Sequence, residues 1–189
     1  MPKALRVVLG ALVLSAACEA APVSAQEARY WREYEVRLGA MMHGLWGPEP
    51  DSLSINGEFI LPKFSFAPIA PSWQWLIPRF HFGGMLNTAG KTNYMYAGAL
   101  WTYDLTDRLF VEGFLGGAVH DGSLLGAPGR NALGCRVLYH LGGSIGYRFS
   151  PRWSAMVTLD HISNGTGMFS DCPRNQGLNE LGIRVGYSF

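Results

Sequence analysis

The chemistry-bearing residues gather in the last thirty positions, where Asp160-His161-Ile162-Ser163-Asn164-Gly165 is followed by Asn175-Gln176-Gly177-Leu178-Asn179. A neutral imidazole beside a hydroxyl can take its proton and make it nucleophilic. A third group must hold the ring in the correct tautomer, and N–H donors must meet the oxyanion of an ester under attack. His161 as base and Ser163 as nucleophile supply the pair. Asn164, Asn175 and Gly165 are the oxyanion-hole candidates, with Gly165 and Gly177 permitting close backbone approach. Such a set needs no cofactor. No CxxC or Cys/His zinc spacing occurs, and no acidic ligand cluster marks the outer loops, so no metal site is expected. A lone H-x-S arises by chance in many proteins, so the weight falls on where these side chains point.

Their direction follows from the elements that carry them. No stretch after residue 25 shows sustained helical periodicity; what recurs is alternation with period two, broken by turn residues. From Leu178, the odd positions Leu181, Ile183, Val185, Tyr187 and Phe189 are apolar, while the even positions Glu180, Gly182, Arg184, Gly186 and Ser188 are polar or small. Trp153, Ala155, Val157 and Leu159 alternate with Ser154, Met156, Thr158 and Asp160. Val137, Tyr139, Leu141, Ile145 and Tyr147 alternate with Arg136, His140, Ser144 and Arg148. Fainter strands are expected at 34–43, 52–61, 77–87, 93–104 and 108–119. The one with Tyr94, Tyr96 and Trp101 does not divide cleanly into faces.

Eight strands, each with a greasy and a polar face, match a closed antiparallel barrel with lipid outside and a polar interior. With the C-terminus in the periplasm, Asp104–Asp107 and Ser150–Pro151 become tight periplasmic turns, and 120–134 and 165–176 become long outer loops. The connection from Pro62 to Trp75 is long for that side and reads as a small periplasmic cap. On this phase His161, Ser163 and Asn179 interrupt the apolar exterior. A strand rising about 3.3 Å per residue, tilted by about 40°, lifts His161 roughly 20 Å above Trp153. That is near the outer edge of an apolar band about 25 Å tall. Polar groups facing lipid are costly and by default mark function.

Composition agrees. Of 189 residues, charged ones make up only 15%, aromatics 13%, and Gly numbers 24; a soluble barrel would carry more surface charge. A net charge of +1 leaves no electrostatic case for nucleic acid. At the N-terminus Lys3 and Arg6 precede the apolar run Val7–Ala17, and Val23-Ser24-Ala25 is a small-residue cleavage site. Residues 1–25 are therefore expected to be a signal peptide and 26–189 a single barrel domain. Outside the inner membrane Cys135 and Cys172 are in an oxidising setting. Both fall on the outer side, and a disulfide there requires Cα atoms within about 7 Å; the sequence leaves it open. Glu58, Arg79, Glu112, Arg136, Arg148 and Arg184 are expected to form a lumenal charge network, with His120 and His140 facing inward. His43 and His81 have no evident partners.

His161-x-Ser163-Asn164, then Asn175-x-Gly177, and a final strand ending Tyr187-Ser188-Phe189 resemble the lipid A 3-O-deacylase (PagL) family. The stretches Asn56-Gly57-Glu58, Leu86–Gly90, Val111-Glu112-Gly113 and Ala118-Val119-His120 are similar to bacterial acyloxyacyl hydrolases. The resemblance implies an eight-stranded, integral outer-membrane enzyme of a Gram-negative bacterium. Its substrate would be lipid A of lipopolysaccharide in the outer leaflet, and it would remove the ester-linked 3-hydroxyacyl chain with a Ser–His–Glu triad. Here the position of the acidic member is Asn179. Asn can orient a His but cannot stabilise imidazolium by charge. Glu180 is the fallback if a bulge turns it outward. The competing class is a non-catalytic structural or adhesive barrel, and dimerisation is left open.

Overall fold

The computed structural model describes residues 33–64, 71–166 and 170–189; the expected signal peptide lies outside them. The chain forms β1 (Glu35–His43), β2 (Ser52–Ile60), β3 (Arg79–Asn87), β4 (Tyr94–Asp104), β5 (Leu109–His120), β6 (Val137–Arg148), β7 (Trp153–Ser163) and β8 (Leu178–Ser188). Each strand pairs antiparallel with its neighbours in sequence. β1 closes on β8 from Glu35↔Ser188 to His43↔Glu180, giving a closed eight-stranded barrel. Closure removes every sheet edge, so no backbone donor or acceptor need face hydrocarbon.

The two faces separate as the alternation requires. Val36, Leu38, Ile55, Phe82, Met95, Leu115, Ile145, Val157, Ile183 and Val185 are exposed on the outside. An apolar surface of that extent on a closed barrel is solvated by lipid, not water. At the end carrying the C-terminus, Tyr34, Phe59, Trp153, Tyr187 and Phe189 pack ring against ring as an aromatic girdle.

Eight strands leave a lumen just wide enough for side chains to fill, and here it is filled by ions. Arg37 donates to Glu112 through both terminal nitrogens, at 2.7 and 2.8 Å, and through Nε to Glu35 at 2.7 Å. Arg79 reaches Glu35 at 2.8 Å, and His81 donates to Glu58 at 2.7 Å. Asp160 accepts from Tyr94 at 2.7 Å, from His140 at 3.0 Å and from Arg184 at 3.0 Å. Buried charges survive only with such partners. Aromatic rings fill the gaps: His140 stacks on Tyr96 at 4.1 Å and Phe114 at 4.9 Å. Glycine makes room, since a Cβ at Gly146 would stand 2.2 Å from the Phe110 ring.

Of the six residues expected in the lumenal network, Arg136 is the exception. It precedes β6, is exposed, and donates to the Gly122 carbonyl at 2.8 Å, so the period-two phase does not reach it. His43 and His81 have lumenal partners that their local sequence does not reveal. The long periplasmic connection contains a 3₁₀ turn, Pro71–Leu76, held to the barrel wall by Trp101 Nε1 donating to Leu76 O at 3.0 Å.

Candidate active site

His161, Ser163 and Asn179 all occupy outward-facing positions of β7 and β8 and are half-buried, whereas their neighbours Asp160, Ile162, Leu178 and Glu180 are buried inside. His161 and Asn179 stand directly opposite each other across the β7–β8 ladder. Directly opposed Cβ atoms in an antiparallel pair lie about 4.5–5.5 Å apart, close enough for the side chains to bond. His161 Nδ1–H donates to Asn179 Oδ1 at 2.8 Å. Because an amide oxygen only accepts, this bond places the proton on Nδ1 and leaves Nε2 with its lone pair. Nε2 has no hydrogen-bond partner among the described residues, and neither has the Ser163 hydroxyl. The two side chains share one face two residues apart and are not hydrogen-bonded to each other. Catalytic hydrogen bonds are often long before substrate binds.

The ring is seated by glycine. Gly177 has φ +63°, a conformation that side-chain-bearing residues rarely adopt, and a Cβ there would lie 3.0 Å from His161 Cε1. Gly177 is held in turn: Asn131, fully buried in the third outer loop, donates through Nδ2 to the Gly177 carbonyl. The Asn131 N–H donates to Glu49 at 2.7 Å. Glu49 is itself fully buried in the first outer loop, where it also accepts from Thr92 N at 3.1 Å, Thr92 Oγ1 at 2.9 Å and His43 Nε2 at 3.2 Å. Burial would raise its carboxyl. The hydrogen bonds from His43, Asn131 and Thr92 outweigh that effect and hold it down to about 2. One buried carboxylate thus ties three outer loops together, and Asn131 carries the tie to the seat of His161. Neither Glu49 nor Asn131 stands out in the sequence. Their partners lie up to 82 positions away, so no local motif marks them.

The oxyanion candidates separate. Asn175 is exposed, and its Oδ1 accepts the backbone N–H of Asn164 at 3.1 Å, which fixes the amide and leaves Nδ2 without a partner among the described residues. Gly165, with φ +63°, has a backbone N–H with no acceptor among the described residues. Asn164 is a correction. Its side chain is buried and its Nδ2 donates to Leu133 O at 2.8 Å and Arg174 O at 2.5 Å. With both amide hydrogens spent and its N–H on Asn175, it braces the loops and has no donor left for an oxyanion. Glu180 is a second correction. β8 pairs with β7 and β1 in unbroken register, and the Glu180 carboxylate lies in the lumen, accepting from His43 at 2.6 Å and Ser54 at 3.0 Å. It cannot reach the outer face. Cys135 and Cys172 are joined as a disulfide with Cα atoms 5.8 Å apart, clamping the third outer loop to the fourth beside these donors.

Set against known proteins, the chain matches the family model for lipid A 3-O-deacylase (PagL) over residues 31–188. Comparison with curated proteins finds no match. The crystal structure of the outer membrane enzyme PagL superposes with a TM-score of 0.56 at 14% identity, covering 82% of this chain and 98% of that one. A de novo designed transmembrane β-barrel superposes with a TM-score of 0.52 at 13% identity, covering 84% of this chain and 96% of that one. Identities this low speak for the fold alone.

Proposed function

The chain belongs to the lipid A 3-O-deacylase (PagL) family of outer-membrane β-barrel enzymes, and from that premise we propose that His161, Ser163 and Asn179 hydrolyse the ester-linked 3-hydroxyacyl chain of lipid A in the outer leaflet. The observation that carries this reading is the 2.8 Å bond from His161 to Asn179 on the lipid-facing wall. A bond that fixes a tautomer and leaves the Nε2 lone pair unbonded is what a general base requires and what a merely interfacial His does not.

In the proposed reaction Ser163 Oγ attacks the acyl carbonyl as His161 Nε2 takes its proton. Negative charge gathers on the carbonyl oxygen, where Asn175 Nδ2 and the Gly165 N–H are the available donors. The tetrahedral intermediate collapses as His161 returns the proton to the departing sugar hydroxyl, leaving the acyl group on Ser163. Water, activated by the same imidazole, then releases the fatty acid. Asn179 orients the ring throughout but brings no charge to the imidazolium, so a slower enzyme than one with a carboxylate there is expected.

Mass spectrometry of lipid A from cells making the wild type or Ser163→Ala tests the assignment. The wild type removes one 3-hydroxyacyl group. Ser163→Ala leaves lipid A intact, since loss of the nucleophile in such a set costs about 10³-fold or more. Identical lipid A in both, with folded barrels in both, assigns the chain instead to the non-catalytic class, which the missing negative charge at position 179 favours.

A further inference from the structure

On the outer side of the candidate site the third and fourth outer loops enclose an open cleft of about 570 Å³, lined by Arg130, Arg174, Thr166, Asn175 and Gln176 among others. Two arginines from different loops line it, and its lining contains no Asp or Glu. That is unusual in this molecule. Arg37, Arg79, Arg148 and Arg184 each hold a carboxylate within 3.0 Å. Arg108 and Arg152 each donate to a tyrosine hydroxyl, and Arg136 to a backbone carbonyl. Arg174 has no side-chain partner among the described residues, and it is exposed. Arg130 is anchored by Nη1 on the Gly90 carbonyl at 2.9 Å, with Nε 3.6 Å from Glu49. That carboxylate is already surrounded by its donors from His43, Asn131 and Thr92.

The backbone that presents these groups is fixed in advance. The Arg174 carbonyl is held by Asn164 at 2.5 Å, and Cys172, two residues earlier, is pinned by the disulfide. Across the cleft, Gln176 N donates to Ala132 O at 3.0 Å, and Ala132 N donates to Gln176 Oε1 at 2.6 Å. The planar, permanently charged fork of Arg174, which has no internal anion, beside Arg130, which keeps only Glu49 at 3.6 Å, is suited to a phosphate monoester, whose oxygens accept guanidinium hydrogens in pairs. The cleft also shares Asn175 with the ester site, so an anion bound there would sit on the same molecule as the bond to be cut.

We propose that this cleft is the phosphate subsite of the enzyme, with Arg174 and Arg130 gripping a phosphate of the lipid A sugar headgroup while Ser163 meets the ester. This deepens the deacylase reading and rests on it. The test is equilibrium binding in detergent micelles, in a Ser163→Ala background so that turnover cannot intervene, of bisphosphorylated lipid A and of lipid A stripped of its phosphates. Arg174→Gln weakens binding of the phosphorylated lipid about tenfold, leaves the stripped lipid unchanged, and is partly rescued by Arg174→Lys; Arg130→Gln acts in the same direction. Equal binding of both lipids by the parent protein, or an equal loss on both in Arg174→Gln, overturns the subsite. Inorganic phosphate added as competitor displaces the lipid only weakly if the headgroup is the ligand. Displacement by free phosphate at equal concentration, with no preference between the lipids, assigns the cleft to the free ion and overturns the headgroup assignment. Because binding is read without hydrolysis, this result stands or falls separately from the lipid A digest that tests the deacylase reading.

Discussion

Asp160 and His161 are neighbours in sequence and face opposite solvents, and their surroundings differ as much as those solvents do. Asp160 points into the lumen and is gripped by Tyr94, His140 and Arg184. His161 points out of the wall and has one hydrogen bond, from Nδ1 to Asn179, with its other nitrogen unbonded among the described residues. Inside, every ion must be matched because an unmatched one is expensive to bury. Outside, the proposed base has an incompletely satisfied ring, which is what the proposed reaction needs. Charged residues inside this barrel are thus matched by counter-charges, whereas the proposed site on its outer wall has no ion pair among the described residues.

Three substitutions sharpen that contrast. The largest expected effect is on the lumenal side. Arg184→Met removes the cation shared by Asp160 and Glu58, which keep His140 and His81, and removing one partner of a buried ion pair costs up to about 3–5 kcal/mol. The midpoint of urea unfolding in micelles should fall accordingly, while the folded fraction keeps its rate of lipid A hydrolysis. If stability is unchanged, the lumenal network is not what holds the barrel together. Next is Asn131→Ala, which cuts the tie between Glu49 and the Gly177 seat. Losing that buried hydrogen bond costs about 1–3 kcal/mol of stability; in the folded fraction kcat should fall about tenfold with little change in KM, and Asn131→Gln should recover part of it. A loss confined to KM would mean that the loop tie serves binding instead of the imidazole. The smallest effect runs the other way: Asn179→Glu supplies the missing charge to the imidazolium and should raise kcat severalfold. A fall would show that the amide, not the absent carboxylate, is what orients His161.

The barrel itself was legible because strand alternation is a local property. The expected spans 34–43, 52–61 and 93–104 meet Glu35–His43, Ser52–Ile60 and Tyr94–Asp104, and the outward phase of positions 161, 163 and 179 follows from the same alternation. β4 resisted division because the lumen accepts tyrosine. Tyr94 and Tyr96 are buried inside, where their hydroxyls bond Asp160 and Asn56, so hydrophobicity alone misassigns them. Arg136 was misplaced because alternation was extended one residue past the strand. The loop architecture was not legible at all. Glu49, Asn131 and Asn164 make contacts that depend on which loops closure of the barrel brings together, as does the pairing of His43 with Glu180 across 137 positions. Asn164 shows the limit most plainly: its residue type suits an oxyanion donor, and only the neighbouring carbonyls of Leu133 and Arg174 reveal that its hydrogens are already committed.

The packed lumen also decides how reactant and product can travel. With Arg184, Phe110, Met41 and His140 filling the interior, nothing passes along the barrel axis. A substrate of the proposed site at residues 161, 163 and 179 must come sideways, by diffusion within a single sheet of lipid. Encounter frequency then scales with the mole fraction of substrate in that leaflet and not with any concentration in water. A fatty acid freed by the proposed reaction is left in the same two-dimensional pool from which its parent came.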